Sequence, residues 1–199
     1  MRFNLPQSNA GLRVGLLGGS FDPAHQGHLR ISLHALKCFD LDQVWWLFTP
    51  GNPLKQKGPA SLNRRITFAK ALLQHPRIKV TDLESKLQTR FTYDTLREIR
   101  ALYPGTKFTW LMGADNLAQI HHWQNWSAIF EILPIGVLAR PGQSLAAQCS
   151  PAARLFSGCR IPNRTSRILS HAAAPAWCFV NLPLSQSSSS EIRNRGIWR

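Results

Sequence analysis

The 199-residue sequence predicts an α/β protein, a doubly wound parallel sheet of about five to six strands with helices on both faces. Three observations carry this. Short continuous apolar runs, such as Val14-Gly15-Leu16-Leu17 and Val44-Trp45-Trp46-Leu47-Phe48, recur along the chain. Segments with apolar residues at helical spacing separate them. The runs do not alternate apolar with polar, so both faces of each strand are expected to be buried, as in a sheet covered by its own crossover helices.

In order, Val14–Leu17 reads as the first strand and Gly27–Cys38 as the first helix. Val44–Phe48 is a second strand, stopped by Pro50 and Gly51. Leu62–Gln74 is a second helix, with Ser61 as its N-cap. Ile78–Leu83 is a third strand. Tyr93–Leu102 has helical spacing and stops at Pro104-Gly105. Phe108–Met112 is a fourth strand ending in Gly113, Ser127–Leu133 a short helix, and Gly136–Leu138 a fifth strand. Residues 140–176 are rich in Ala, Ser, Pro and Arg, with a helix expected over Leu145–Phe156. A last strand follows at Trp177–Leu182. In such sheets ligands bind beyond the carboxyl ends of the strands, so motifs at strand ends should share one edge.

Bulk properties narrow the class. The length suits one domain, residues 1–199, with a polar tail at 1–11, a variable segment at 140–176 and a C-terminal motif at 187–199. Four scattered cysteines without a C-x-x-C pair argue for reduced thiols, not a disulfide framework or a zinc site. No signal peptide is expected at the N-terminus, and no apolar run approaches the roughly 18 residues that span a bilayer, so no membrane association and a cytoplasmic location are expected. The net charge of +14 fits either nucleic acid or anionic small substrates. It is spread without a block of five or six like charges, and nucleic acid is not expected as the main partner.

The chemistry concentrates in Gly18-Gly19-Ser20-Phe21-Asp22-Pro23-Ala24-His25-Gln26-Gly27-His28, between the first strand and the first helix. Gly18 and Gly19 are expected to turn the backbone sharply and let it approach a phosphate. The helix beyond directs unpaired N–H groups and its positive dipole end at that anion. His25 and His28, three apart, share one side of the first turn and can donate to phosphate oxygens or offset developing charge. Phe21 should pack inward, Pro23 fix the turn, and Asp22 bond backbone N–H groups. The pattern is neither G-x-G-x-x-G nor a P-loop. His34, His75, His121, His122 and His171 read as structural, and Arg64 and Arg65 as a solvated helix face.

Gly19-Ser20-Phe21-Asp22-Pro23 with His25-x-Gly27-His28 resembles the signature of the H-x-G-H nucleotidyltransferase superfamily. Ser188-Ser189-Ser190-Glu191-Ile192-Arg193 resembles its second motif, I-S-S-T-x-I-R, with Ser187 for the isoleucine and Ser190 for the threonine. Three central segments resemble the bacterial nicotinate mononucleotide adenylyltransferases. They are Asn52-Pro53-Leu54-Lys55, Thr92-Tyr93-Asp94-Thr95-Leu96, and Gly113-Ala114-Asp115-Asn116-Leu117 followed by Trp123 and Trp126.

The resemblance implies a Rossmann-like fold and transfer of an adenylyl group from ATP to nicotinate mononucleotide, with magnesium arriving on ATP and no dedicated metal ligands. It implies that Gly18, Gly19, Ser20, Phe21, His25, His28, Asp115, Ser188, Ser190 and Arg193 bind ATP, with His25, His28 and Arg193 acting in catalysis. It places Lys55, Thr92, Tyr93, Trp123 and Gln124 around the nicotinate nucleotide, with Trp123 stacked on the pyridine ring and Trp126 structural. A relative with another acceptor (nicotinamide mononucleotide or phosphopantetheine), a basic nucleic-acid-binding protein, and homo-oligomerisation stay open at this point.

Overall fold

A computed structural model describes residues 5–50, 58–140, 144–183 and 198. Lys55, Ser188, Ser190 and Arg193 lie outside the described residues.

The chain runs β1 (Arg13–Gly19), α1 (Gln26–Cys38), β2 (Gln43–Phe48), α2 (Leu62–Leu72), β3 (Ile78–Thr81), α3 (Leu83–Lys86) and α4 (Thr92–Leu102). It continues through β4 (Lys107–Gly113), α5 (Ala114–Gln119), α6 (Trp126–Ile132), β5 (Ile135–Ala139), α7 (Ser144–Gln148), α8 (Pro151–Leu155), β6 (Arg160–Ile161) and β7 (Trp177–Asn181). The seven strands form one sheet in the order β3-β2-β1-β4-β5-β7-β6, every pairing parallel. This is a doubly wound, Rossmann-like α/β sheet.

Continuous apolar strands are explained by burial on both sides. Within β2, Val44, Trp46 and Phe48 face one core layer while Trp45 and Leu47 face the other. The first layer is closed by α1 and α2, through Ile31, Ala35, Leu36 and Ala69. The second is closed by α3 to α8, through residues such as Leu83, Leu96, Ile99, Leu117, Ile129, Phe130, Ala147 and Ala152. The chain winds outward from β1 to β3, then returns to lay β4 on the other side of β1. That reversal opens a crevice at the carboxyl ends of β1 and β4.

Several expectations need correction. Among the described residues the sheet has seven strands, not five to six, because the two-residue β6 inside the variable segment pairs with β7. The third strand ends at Thr81; Leu83, expected in it, begins a helical turn that buries it in the second core layer and pairs Lys86 with Asp82 at 2.8 Å. The helix expected over Leu145–Phe156 is two helices. Pro151 cannot continue a helix, so Ser150 starts a new one by accepting from the Ala153 N–H at 3.2 Å. Ser61 occupies the N-cap position of α2 without a side-chain capping bond. Part of the 1–11 tail is docked: the Tyr103 hydroxyl donates to Pro6 O at 2.8 Å, and Gly11 N–H to Gly105 O at 2.7 Å.

Candidate active site

The turn after β1 is not made by its glycines. Gly18 and Gly19 lie in extended strand, and the residue with left-handed backbone is Phe21, at φ 44°. Phe21 is buried as expected, stacked at 4.8 Å on Trp46 and 4.5 Å on Phe48, which hold it in this conformation. Gly18 is required for a different reason than a turn. A methyl group there would overlap the Trp110 ring, which lies directly beneath the strand end. A methyl at Gly19 would meet the Phe21 ring at 3.3 Å. Backbone N–H and C=O groups of 18–20 therefore sit at the cleft floor on a dense aromatic bed.

His25 and His28 meet as expected and cap α1 reciprocally. His25 is the N-cap, and its Nδ1 accepts from the Gly27 N–H at 3.0 Å. His28 Nδ1 accepts from the His25 N–H at 3.2 Å. This is a capping box built from two imidazoles in place of hydroxyl and carboxylate. A ring nitrogen that accepts an N–H carries no proton, so each neutral ring holds its proton on Nε2. The rings pack with centroids 3.9 Å apart. Burial holds the His28 pKa well below the usual histidine range, with smaller contributions from the adjoining His25 imidazole and the Arg140 charge. His28 is therefore a neutral Nε2–H donor at neutral pH.

A second network ties the loops around the cleft. Asp22 Oδ1 accepts from the Ala60 N–H at 3.3 Å and from Trp198 Nε1 at 2.7 Å. The first of these bonds fits the expected loop-orienting role of Asp22. Arg65, expected on a solvated face, is instead fully buried. The reason is its place in α2, where it shares a face with Leu62, Ala69 and Leu72. That periodicity was the available signal. Arg64 does face outward, stacked at 4.5 Å on the Trp198 ring. Near the same edge, burial pushes the Glu84 carboxyl up to about 7, opposed by a hydrogen bond from the Thr49 side chain.

On the far side of the crevice, Gly113 ends β4, and the Asp115 carboxylate folds back over it in the space a side chain would need. Thr92 and Tyr93 form the first turn of α4, whose cap residue Phe91 makes no side-chain capping bond. First-turn N–H groups there have no helical acceptor. Trp123 and Tyr93 are half-buried at the margin of the second core layer, and Gln124 is exposed beside Trp123. Trp126 packs edge-on to Phe130 and Phe156, as its structural reading required. Thus Gly18 to His28 form one constellation, with Asp115 at the neighbouring strand end. Tyr93 and Trp123 border a shared core layer. Among the described residues, no group of three or more His, Cys, Asp or Glu side chains is placed to hold a metal ion. Nor, among them, is any helix long and apolar enough to cross a membrane.

A parallel sheet with a histidine-capped helix at its switch point defines a nucleotide-binding transferase architecture. The chain belongs to the cytidylyltransferase-like family, whose sequence profile matches residues 16–195. It is 58% identical over 198 residues to a probable nicotinate-nucleotide adenylyltransferase of Roseobacter denitrificans, covering 100% of both chains. It is 46% identical over 189 residues to one of Parvibaculum lavamentivorans, covering 94% of each. Its fold matches a Plasmodium falciparum nicotinic acid mononucleotide adenylyltransferase complexed with NaAD. That match has a TM-score of 0.71 at 19% identity, over 92% of this chain and 83% of the other.

Proposed function

We propose that the chain transfers the adenylyl group of ATP to nicotinate mononucleotide, forming nicotinate adenine dinucleotide and pyrophosphate, as a cytoplasmic step in NAD biosynthesis. The names carried by full-length relatives support the acceptor. The observation that carries the chemistry is the mutual capping of His25 and His28, which fixes two Nε2–H donors at a helix N-terminus on the cleft floor.

The 5′-phosphate of the acceptor attacks the α-phosphorus of ATP in line. A new P–O bond forms, the bond from Pα to its bridging oxygen breaks, and the electron pair leaves with pyrophosphate. The attacking phosphate is already anionic, so no general base is needed. Catalysis is positioning and charge stabilisation. His28 and His25 donate to phosphate oxygens, and the anion raises the His28 pKa from its depressed value. Gly18, Gly19, Ser20 and Phe21 line the nucleotide, and Asp115 takes the ribose hydroxyls. Ser188, Ser190 and Arg193 hold the β- and γ-phosphates. Mg2+ enters as part of the MgATP substrate. Trp123 stacks on the pyridine ring, the backbone N–H groups of Tyr93 and Gln124 beside Thr92 take the nicotinate carboxylate, and Lys55 attracts the anionic acceptor.

The test is an acceptor panel with MgATP, reading pyrophosphate release and the dinucleotide product. Nicotinate mononucleotide should be the preferred acceptor. Preference for nicotinamide mononucleotide or phosphopantetheine would overturn the assignment.

A further inference from the structure

We propose that Arg65 is a positioning residue for adenylyl transfer, fastening together from beneath the loops on one side of the nucleotide cleft; the inference rests on the function proposed above.

Its guanidinium is fully buried and binds backbone carbonyls from three separate segments. Nη1 donates to Ser20 O at 2.5 Å and to Thr49 O at 3.0 Å. Nε donates to Ala60 O at 2.7 Å, and Nη2 to Pro50 O at 3.3 Å. Ser20 follows the end of β1, inside the phosphate-facing loop. Thr49 and Pro50 follow the end of β2. Ala60 leads into α2, and its N–H is the one that bonds Asp22. One planar fork therefore sets the spacing of every loop on this side of the cleft.

A compact ammonium cannot do this. It offers three donors from one point, whereas the fork reaches Ser20, Thr49 and Ala60 along diverging directions. The electrostatics point the same way. Among the described residues, the ion pairs within 4 Å involve Arg13, Lys86, Arg97, Arg167 and His171, and none involves Arg65. Asp22 acts on it only as a longer-range charge, and burial lowers its pKa. A buried cation balanced by carbonyl dipoles is expensive to keep where an apolar side chain would fill the space. Its retention under an anion-binding loop fits a site whose occupant brings negative charge.

The test uses Arg65→Lys and Arg65→Gln in the full chain, assayed at least about 20 °C below each variant's melting temperature so that all molecules are folded. Binding of a non-hydrolysable ATP analogue is measured separately from turnover, so the readout stands whichever acceptor the enzyme prefers. The expected result is a loss of about tenfold or more in analogue affinity, and in kcat/KM for ATP, in Arg65→Lys, which keeps charge but not the fork. Wild-type analogue affinity in folded Arg65→Lys would overturn the proposal and leave Arg65 a structural residue. If neither variant folds, the wild-type Arg65 Nε–H resonance decides. It should shift on adding the ATP analogue, and an unmoved resonance at saturation would overturn the proposal. A wild type that binds the analogue but ignores nicotinate mononucleotide would instead defeat the proposed function and leave the Arg65 result readable.

Discussion

The indole N–H of Trp198 donates a 2.7 Å hydrogen bond to Asp22 Oδ1, joining the last described residue to the loop that follows β1. The same ring lies under the Arg64 guanidinium at 4.5 Å and edge-on to Phe68 at 4.9 Å. Trp198 is 8% exposed, so the indole is packed as well as hydrogen-bonded. The two contributions can be separated. Trp198→Phe keeps aromatic packing on Phe68 and removes the bond to a carboxylate, with an expected cost of about 1.5–3 kcal/mol. Trp198→Ala removes both and should cost about 3–5 kcal/mol. Urea denaturation reads the difference; equal effects would mean that the hydrogen bond alone anchors the ring, and a Trp198→Phe as stable as wild type would mean that packing alone does.

Gly18 over Trp110 yields a second prediction. A methyl at position 18 has nowhere to go, because the atom it overlaps belongs to a ring that is itself 3% exposed and packed into the second core layer. Gly18→Ala should destabilise the fold by about 1–3 kcal/mol and weaken ATP binding by displacing the cleft floor. Shrinking the ring should relieve the strain, so Gly18→Ala with Trp110→Phe should be more stable than the sum of the single effects implies. Thermal melts of the four proteins check this. Simple additivity would remove Trp110 as the reason for the glycine.

The sheet was legible because β1, β2, β4 and β5 are buried on both faces, and a continuous apolar run leaves few other readings. Residues 140–176 were not, since α7 and α8 are only five residues each, with α8 started by local capping at Ser150 and Pro151, and a 3-10 helix follows at Asn163–His171. A two-residue strand such as β6 has too few residues to carry a period. At the site, the histidine pair was visible from spacing, but its reciprocal capping was not, because imidazole is an unusual cap. The role of Gly18 was misread since its constraint comes from Trp110, 92 positions away. Arg65 was misread because charge was weighed above its place on the apolar face of α2. The Asp22–Trp198 bond has no local signal at all.

Glu84 supplies a pH prediction. Its carboxyl titrates at about 7 in the folded protein against 4.5 without the fold. Between those values the native state holds a proton that the unfolded chain has released, so this group's contribution falls as pH rises from 4.5 through 7. Above that it remains a penalty of up to about 3 kcal/mol. Glu84→Gln keeps an acceptor for Thr49 and carries no charge. The variant should be more stable than wild type at pH 8 and comparable at pH 5. Melting temperatures at both values test this, and a variant less stable at pH 8 would refute it.

His28 has the opposite dependence. Burial holds its pKa well below the ordinary 6.5 in the folded protein, so as pH falls through 6.5 the unfolded chain takes up a proton that the native state refuses. Stability from this group is therefore full above 6.5 and lost progressively below it. Asp42, held low by its hydrogen bond from Arg13, titrates below this window. Glu84 works against the trend, so the comparison must be with a variant that changes His28 alone. His28→Asn keeps a side-chain oxygen for the His25 N–H and cannot take a proton. Between pH 7.5 and 5.5, wild type should lose more stability than His28→Asn, and saturating ATP should shrink that excess because bound phosphate favours the protonated ring. At pH 7.5 the same variant should lose at least about 100-fold in kcat, since it lacks the Nε2–H donor beneath the transferring phosphate. Identical acid sensitivity in the two proteins would show that His28 is not the group refusing the proton. Unchanged kcat would take it out of the reaction.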